Sequence, residues 1–551
     1  MALIDEAIAW REQDIDPDTR EELGALLRRT ETGTPDESRA AIEELEVAFA
    51  GPLQFGTAGL RGKLGPGPGR MNRVVVTQAA AGFALWLKDQ GITGGKVLIG
   101  YDARHKSSDF ALDTAQVFAG AGFDVLLTDE PTPTPVVAFG IRHFGCVAGV
   151  VVTASHNPPA DNGYKVYLGD GSQIVPPTDV QIAARIADVA AGPWRELPRS
   201  DERTVVGDDL RAAYVERLTQ LVPDDAPRDV RWVHTSMHGV GARVVRQAAA
   251  ALGFPRPVEV AEQSQPDPDF PTVAFPNPEE PGAINLALAL ARHVDADVVV
   301  ANDPDADRCA VATWVDGAWR MLTGDELGAL LGDDAIRRGV PGRFANSVVS
   351  STLLGTMARA AGREHVTTLT GFKWIGRVPE LAFGYEEAIG YCCDPAAVPD
   401  KDGISAAMSV LRIAAELRRE GRTLADRLDE IARAFGLHAT TQLAVRVADL
   451  GIITEAMARL RAEPPATLLG EPVTVRDLSE GSDVLPPTDA VELTGERIHV
   501  VARPSGTEPK LKCYLEVRLP RATDVRQARE RARSELATLR EEMAAALGVE
   551  A

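Results

Sequence analysis

The sequence predicts an α/β protein: three α/β units of similar style, followed by a smaller α+β domain. Three observations carry this reading. At 551 residues the chain has room for roughly three to five domains of about 100 to 200 residues each. Between residues 96 and 370 short β-branched runs alternate with helical stretches, as strands joined by crossover helices do. Beyond residue 437 strands follow one another with no long helix expected between them.

Taken in order, residues 1–45 read as a helical extension, with Asp16-Pro17-Asp18 as a start signal and Leu23, Leu26 and Leu27 on one face. The first α/β unit, 46–207, has strands at 96–101, 123–127 and 147–152 and helices at 108–122 and 136–144. The second, 208–320, has strands at 230–235 and 296–301 and helices at 242–252 and 284–294. The third, 321–437, has helices at 325–336 and 353–361, strands at 345–350 and 365–370, and a charged helical stretch at 415–435. The terminal domain, 438–551, has strands at 442–447, 473–475, 498–502 and 512–517 and a final helix at 524–547. No strict residue-level repeat relates the units, so their likeness is one of pattern.

Composition narrows the function. Hydrophobic residues at 45% and charged residues at 25% match soluble globular chains and exclude disorder as the main state. Lys plus Arg total 58 against 80 for Asp plus Glu, a formal charge of -22 that repels nucleic acid and anionic membrane surfaces alike. The longest apolar runs, such as 286–291, fall far short of the about 20 residues a spanning helix needs. The start, Met1-Ala2-Leu3-Ile4-Asp5-Glu6, lacks the basic and apolar regions of a secretory signal, so a cytoplasmic protein is expected. Cys146, Cys309, Cys392, Cys393 and Cys513 are odd in number and scattered, which favours buried free thiols over a disulfide framework or zinc site.

Four motifs have the makings of a site. Thr153-Ala154-Ser155-His156-Asn157-Pro158 follows an apolar strand, and ligands of α/β sheets gather at the carboxyl ends of strands, so Ser155 suits a nucleophile. No GxSxG elbow surrounds it, which disfavours a serine hydrolase. Asp303-Pro304-Asp305-Ala306-Asp307-Arg308 also follows an apolar strand, and its three carboxylates need a cation. Oxygen-only ligation suits Mg²⁺ or Ca²⁺, but an EF-hand fails because Arg308 and Trp314 stand at its sixth and twelfth places. Mg²⁺ takes few protein ligands and completes its shell with phosphate oxygens, which points to a phosphorylated partner. The loop from Arg503 to Lys510, flanked by Lys512, offers hydroxyls, backbone N–H groups and an Arg fork to a phosphate. Gly384-Tyr385-Glu386-Glu387-Ala388-Ile389-Gly390 could bond vicinal sugar hydroxyls. Neither Gly94-Gly95-Lys96 nor residues 56–63 has P-loop spacing, and His234 and His238 lack the Glu of a zincin helix.

In order, Phe55-Gly56-Thr57-Ala58-Gly59-Leu60-Arg61-Gly62 and then these four motifs resemble the α-D-phosphohexomutase family over nearly the whole chain from Phe55. The resemblance implies three related α/β domains with mixed sheets and a smaller, mobile C-terminal domain around one central cleft. It implies that Ser155 is phosphorylated in the active enzyme. It makes Asp303, Asp305 and Asp307, with a phosphoserine oxygen at Ser155, the Mg²⁺ ligands. By the same carry-over Arg503, Ser505, Gly506 and Thr507 hold the non-reacting phosphate, Glu386 contacts the sugar, and Arg61, Arg308, Lys165 and Lys373 are basic positions near the site. Arginine is a poor base, so Lys165 is the expected proton acceptor, with His156 as the fallback.

The expected enzyme is therefore an intramolecular phosphotransferase of the phosphoglucomutase/phosphomannomutase type. It interconverts hexose 1-phosphate and hexose 6-phosphate, of glucose or also of mannose, through a phosphoserine and a sugar 1,6-bisphosphate that also serves as primer. The expected assembly is a monomer or small homo-oligomer. The family's sugar loop commonly reads Gly-Glu-x-Ser, whereas Ala388 stands at the hydroxyl position here. That loss favours a phosphopentomutase as the rival, and the extended N-terminus and the GTAGLRG form, followed by Gly67, Met71 and Asn72, also resemble a branch that includes phosphopentomutases and glucose-1,6-bisphosphate synthases. A metal-dependent sugar phosphatase would be a different class of enzyme, disfavoured by the lack of a second metal cluster. A non-catalytic sugar-phosphate binder is disfavoured because it has no need of a nucleophile such as Ser155 beside an acidic metal loop.

Overall fold

A computed structural model describes residues 2–447, 449–482, 485–505 and 510–550. The chain divides into two compact units, one of Met1–Asp225, Arg231–Cys309 and Ala396–Met408, the other of Ala226–Val230, Ala310–Pro395 and Ser409–Ala551.

The first unit opens with three helices, Ala2–Gln13, Pro17–Thr32 and Pro35–Ala48. Asp16 caps the second by accepting from the Asp18 N–H, and Pro17 occupies the first turn, where its missing N–H costs nothing. Leu23, Leu26 and Leu27 are buried with Ala7, Ala41 and Leu45, so the expected apolar face holds the extension together.

A six-stranded mixed sheet follows, in the order Leu60–Lys63, Asp161–Leu168, Ala148–Val152, Lys96–Tyr101, Asp124–Thr128, Thr204–Val206. The last four strands are parallel, and the first two run antiparallel to their neighbours. Strand Ala148–Val152 is buried throughout, as a central parallel strand covered on both faces must be. The sequence reading passed over strand Leu60–Lys63, strand Asp161–Leu168, and helices Arg73–Asp89 and Thr178–Ala191. Helix Arg73–Asp89 buries every residue from Val74 to Ala84 and opens on the β-branched run Val74-Val75-Val76-Thr77, so its first turns show neither amphipathic periodicity nor helical composition. Three further parallel strands, Val298–Ala301, Trp232–Thr235 and Val258–Glu259, complete the strands of this unit.

The second unit holds the hairpin Ala310–Val315 and Ala318–Met321, and a sheet ordered His365–Thr368, Arg343–Ser347, Leu381–Glu386, Gly390–Cys392. Its terminal part is an antiparallel five-stranded sheet ordered Leu437–Arg446, Lys510–Leu519, Ile498–Pro504, Val491–Thr494, Thr474–Asp477, packed against helix Val525–Leu547.

Two expectations are corrected. The charged stretch 415–435 is not one helix but the end of Gly403–Arg419 and the whole of Leu424–Phe435. Gly421 at φ +71 breaks the helix, and Thr423 starts a new one with a capping box to Asp426. The terminal strands are interrupted by a 13-residue helix, Leu450–Ala462, which buries Ile453, Ala456, Met457 and Leu460 in the sheet's core. Four of the five cysteines, Cys146, Cys309, Cys392 and Cys513, are buried. Among the described residues no helix is long and apolar enough to cross a membrane.

Candidate active site

In the first unit the loops after three parallel strands converge. Strand Ala148–Val152 leads to Ser155, which sits at φ +52, a region non-glycine residues rarely occupy. Its N–H donates to Thr153 Oγ1 at 2.8 Å, its Oγ donates to Asp303 Oδ2 at 2.6 Å, and His156 Nδ1 lies 3.1 Å from that Oγ. Strand Val298–Ala301 leads to Asp303, Asp305 and Asp307, all buried, with ligand oxygens within 4.8 Å of one another. Ala306 at φ +56 turns the backbone so that alternate carboxylates face one point.

The charges around this point offset one another. Lys165, on strand Asp161–Leu168, donates to Asp305 Oδ2 at 2.7 Å and to Asp307 Oδ2 at 2.8 Å. Lys401 Nζ stands 3.3 Å from Asp307 Oδ2, and Thr134 Oγ1 donates to Asp305 Oδ2 at 2.6 Å. The Arg308 N–H donates to Asp303 Oδ1 at 3.0 Å. Burial, compounded by Asp305 and Asp307, pushes the Asp303 carboxyl well above the usual carboxylate range. Burial would raise Asp307 too, but Lys165, Lys401 and Arg308 outweigh it and hold that group below the range. Burial works against the Lys165 ammonium, and Asp305 and Asp307 outweigh it, so its pKa lies above that of a free lysine. His156 is kept neutral by burial, with Arg308 and Arg61 adding repulsion.

Asp305 Oδ1 and Asp307 Oδ1 are buried oxygens with no hydrogen-bond partner. Unpaired buried carboxylate oxygens on a three-aspartate oxygen-only cluster fit a hard divalent cation such as Mg²⁺. Arg61 lies on strand Leu60–Lys63, in register with Gly163, and donates to Asn157 Oδ1 at 3.2 Å beside Ser155. Gly59, at φ +76, is what lets this motif approach: a Cβ there would stand 1.8 Å from the Tyr164 carbonyl oxygen.

Three positions beside the predicted site escaped the sequence reading. Thr134, Arg104 and Lys401 all meet the Ser155 or aspartate loops. Arg104 follows strand Lys96–Tyr101 at the end of the sheet that carries Ser155, so the strand-end argument reaches it. Lys401 is set in Asp400-Lys401-Asp402-Gly403 with no strand before it. Gly403 packs so closely that a Cβ would fall 2.1 Å from the Arg308 carbonyl oxygen.

The second unit carries the remaining predicted residues. Glu386 ends strand Leu381–Glu386, while Glu387 Oε2 accepts from Ser347 Oγ at 3.0 Å and Ser350 Oγ at 3.1 Å. Lys373 lies in the short helix Phe372–Ile375 and is half-buried. Arg503 and Lys512 are register partners across two antiparallel strands, and Ser505 N–H donates to the Lys510 carbonyl at 2.7 Å. Gly506 and Thr507 lie outside the described residues. His234 and His238 are separately engaged, with Asn302 and Thr272.

Four consecutive stretches match the phosphoglucomutase/phosphomannomutase models: alpha/beta/alpha domain I at 52–192, domain II at 212–315, domain III at 323–435 and the C-terminal domain at 443–534. The chain belongs to the phosphoglucomutase/phosphomannomutase family. A Haemophilus influenzae protein described as a probable phosphomannomutase is 46% identical over 455 residues, covering 81% of this chain and 93% of its own. Human phosphopentomutase is 37% identical over 537 residues, 87% of each chain. A Staphylococcus epidermidis phosphoglucomutase is 33% identical over 512 residues, 86% of this chain and 92% of its own. Phosphomutases of this family are isomerases, and this chain is one: it acts as an intramolecular phosphotransferase on a phosphorylated sugar. The expected three α/β domains and C-terminal domain are present.

Proposed function

We propose that this mutase interconverts the 1- and 6-phosphates of glucose, and also of mannose, with Ser155 as the phosphoryl carrier. The observation that carries the proposal is the Ser155 hydroxyl 2.6 Å from Asp303 in a buried three-aspartate cluster. A binding protein has no use for a strained serine hydroxyl aimed at such a cluster.

Asp303, Asp305 and Asp307, with an oxygen on Ser155, would hold Mg²⁺. Bound there, the ion supplies Lewis-acid neutralisation of the phosphoryl oxygens. A phosphoserine carries about -1.5 to -2 charge at neutral pH. Arg61 and Arg308 in this unit supply fixed positive charge against it, and Lys373, Arg503 and Lys512 are assigned to the substrate's own phosphate, together with Ser505, Gly506 and Thr507. The P–O bond to Ser155 Oγ breaks as one forms to the sugar's free hydroxyl oxygen, whose proton passes to an acceptor. The bisphosphate then turns end for end, its other phosphoryl group returns to Ser155, and the oxygen left behind takes the proton back. We assign the acceptor role to Lys165, which must first part from Asp305 and Asp307 and give its own proton to water before it takes the sugar's. His156, with Nδ1 3.1 Å from Oγ, is the fallback. Glu386, at the end of strand Leu381–Glu386, is the proposed sugar-hydroxyl contact.

A second reading, a mutase of pentose 1- and 5-phosphates, is favoured by Ala388, which offers the sugar no hydroxyl, and by the likeness to human phosphopentomutase. One assay separates the readings. The protein is given glucose, mannose, N-acetylglucosamine and ribose 1-phosphates, with and without a sugar 1,6-bisphosphate primer and Mg²⁺. The proposal expects the 6-phosphates of glucose and mannose, dependence on primer, and no free phosphate. Faster turnover of ribose 1-phosphate supports the pentose reading, and free phosphate as chief product supports a phosphatase.

A further inference from the structure

We infer that the N-terminal helical extension is part of the machinery that positions the Ser155 loop, acting through Lys106 and Arg104. This rests on the reading that Ser155 carries the phosphoryl group.

The Arg104 guanidinium is 4% exposed and is spent on backbone. Its Nη2 donates to the carbonyls of Ser155 and Asn157, both at 2.6 Å, and its Nη1 to those of Pro158 at 2.8 Å and Asp161 at 3.1 Å. One planar fork thus ties the whole loop from Ser155 to Asp161, which a lysine's point charge cannot do. The fork is itself fixed: Asp102 Oδ2 lies 3.4 Å from Nε, and the Phe270 ring covers the guanidinium, its centroid 4.9 Å from Cζ. Arg104 touches no reacting atom, so it is a positioning residue for a hydroxyl whose direction decides the transfer.

Two residues on, Lys106 takes a left-handed backbone, φ +65, immediately before helix Ser107–Gly120. That conformation aims its ammonium at the extension, where it bonds the carboxylates of Asp16 and Asp18. Asp16 is buried and is the N-cap of helix Pro17–Thr32, whose leucines form the extension's core. On the opposite side Asn162 Nδ2 donates to the His105 carbonyl and to Ser107 Oγ, both at 2.9 Å. The stretch 102–107 is therefore held at one end by the extension while its arginine holds the Ser155 loop.

The test uses the full chain, with kcat and KM for glucose 1-phosphate at saturating primer and Mg²⁺, and the unfolding temperature. Lys106→Met is expected to lower kcat about 10-fold, with KM within about twofold and the unfolding temperature near wild type. Lys106→Arg is expected to restore kcat, and Arg104→Lys to lower it about 100-fold. If Lys106→Met does not fold, Asp18→Asn removes part of the same tether at an exposed position and is expected to cost kcat about threefold. Unchanged kcat, or kcat, KM and unfolding temperature failing together, overturns the inference. A wild type that isomerises while the variants match it sinks only this inference, whereas a wild type with no mutase activity sinks the underlying reading as well.

Discussion

The Ser155 hydroxyl and the Asp303 carboxylate, from strand ends 148 residues apart in the chain, meet at 2.6 Å. The contact joins a group able to carry phosphate to a cluster able to hold the cation that phosphate needs. Asp303 is the member of the triplet whose charge is least compensated: Lys165 serves Asp305 and Asp307, and Lys401 serves Asp307.

That asymmetry makes Asp303→Asn informative. In wild type, Mg²⁺ at about 100 times its Kd adds about 2.7 kcal/mol of stability, a rise of several degrees in the unfolding temperature. The variant is expected to lose most of this increment. In chelator its unfolding temperature should equal or exceed that of wild type, because one of three mutually repelling buried carboxylates is gone. Thermal unfolding with Mg²⁺ or with chelator reads both, and an undiminished Mg²⁺ increment would contradict the assignment of Asp303 as a ligand.

Ala388→Ser restores a hydroxyl two residues beyond Glu386. A site that gains a hydrogen bond to a substrate hydroxyl gains about 10-fold or more in discrimination. The ratio of kcat/KM for glucose 1-phosphate over ribose 1-phosphate is therefore expected to rise by at least that factor. An unchanged ratio would mean that this loop does not read the sugar.

Asp325 gives a pH prediction away from the metal cluster. Its buried Oδ1 accepts from the Ser351 N–H at 2.7 Å and the Tyr385 hydroxyl at 2.9 Å. Burial pushes its carboxyl up to about 7 despite those bonds, and the Glu387 charge adds to the rise. The folded state thus favours the protonated acid. Its contribution is fully present below the unfolded value of 3.8 and is lost as pH rises through about 7. Asp325→Asn keeps the acceptor and removes the titration. The variant should match wild type near about pH 4 and exceed it by up to about 4 kcal/mol near about pH 8. Denaturant unfolding across that range checks the sign, and a variant less stable at the alkaline end would refute the burial argument.

The sequence made the centre of each sheet legible because fully buried strands such as Ala148–Val152 are unbroken apolar runs closed by turn residues. The aspartate triplet was legible because three like charges in six residues demand a cation. Strand Leu60–Lys63, with Gly62 and two basic residues in four positions, carries no strand composition, so the placement of Arg61 could not be read from local pattern. The strand-end argument reaches Arg104, but the Ser155-loop carbonyls it binds lie 51 residues away or more, and Lys401 meets Asp307 from another α/β unit, so what each holds exists only once the chain is folded. The helix Leu450–Ala462 was missed although Asp449 caps it, because its apolar spacing competes with a flanking strand pattern.

The most direct test of the central claim is a single-turnover transfer of labelled phosphate. Protein labelled by radioactive sugar bisphosphate and freed of it is mixed with excess unlabelled glucose 1-phosphate and Mg²⁺, and both the peptide bearing the label and the fate of the label are followed. The account predicts label on Ser155 alone, passing to the sugar within the time of one turnover, with none taken up by Ser155→Ala. Label on another residue, or label on Ser155 that leaves only as free phosphate, would contradict it.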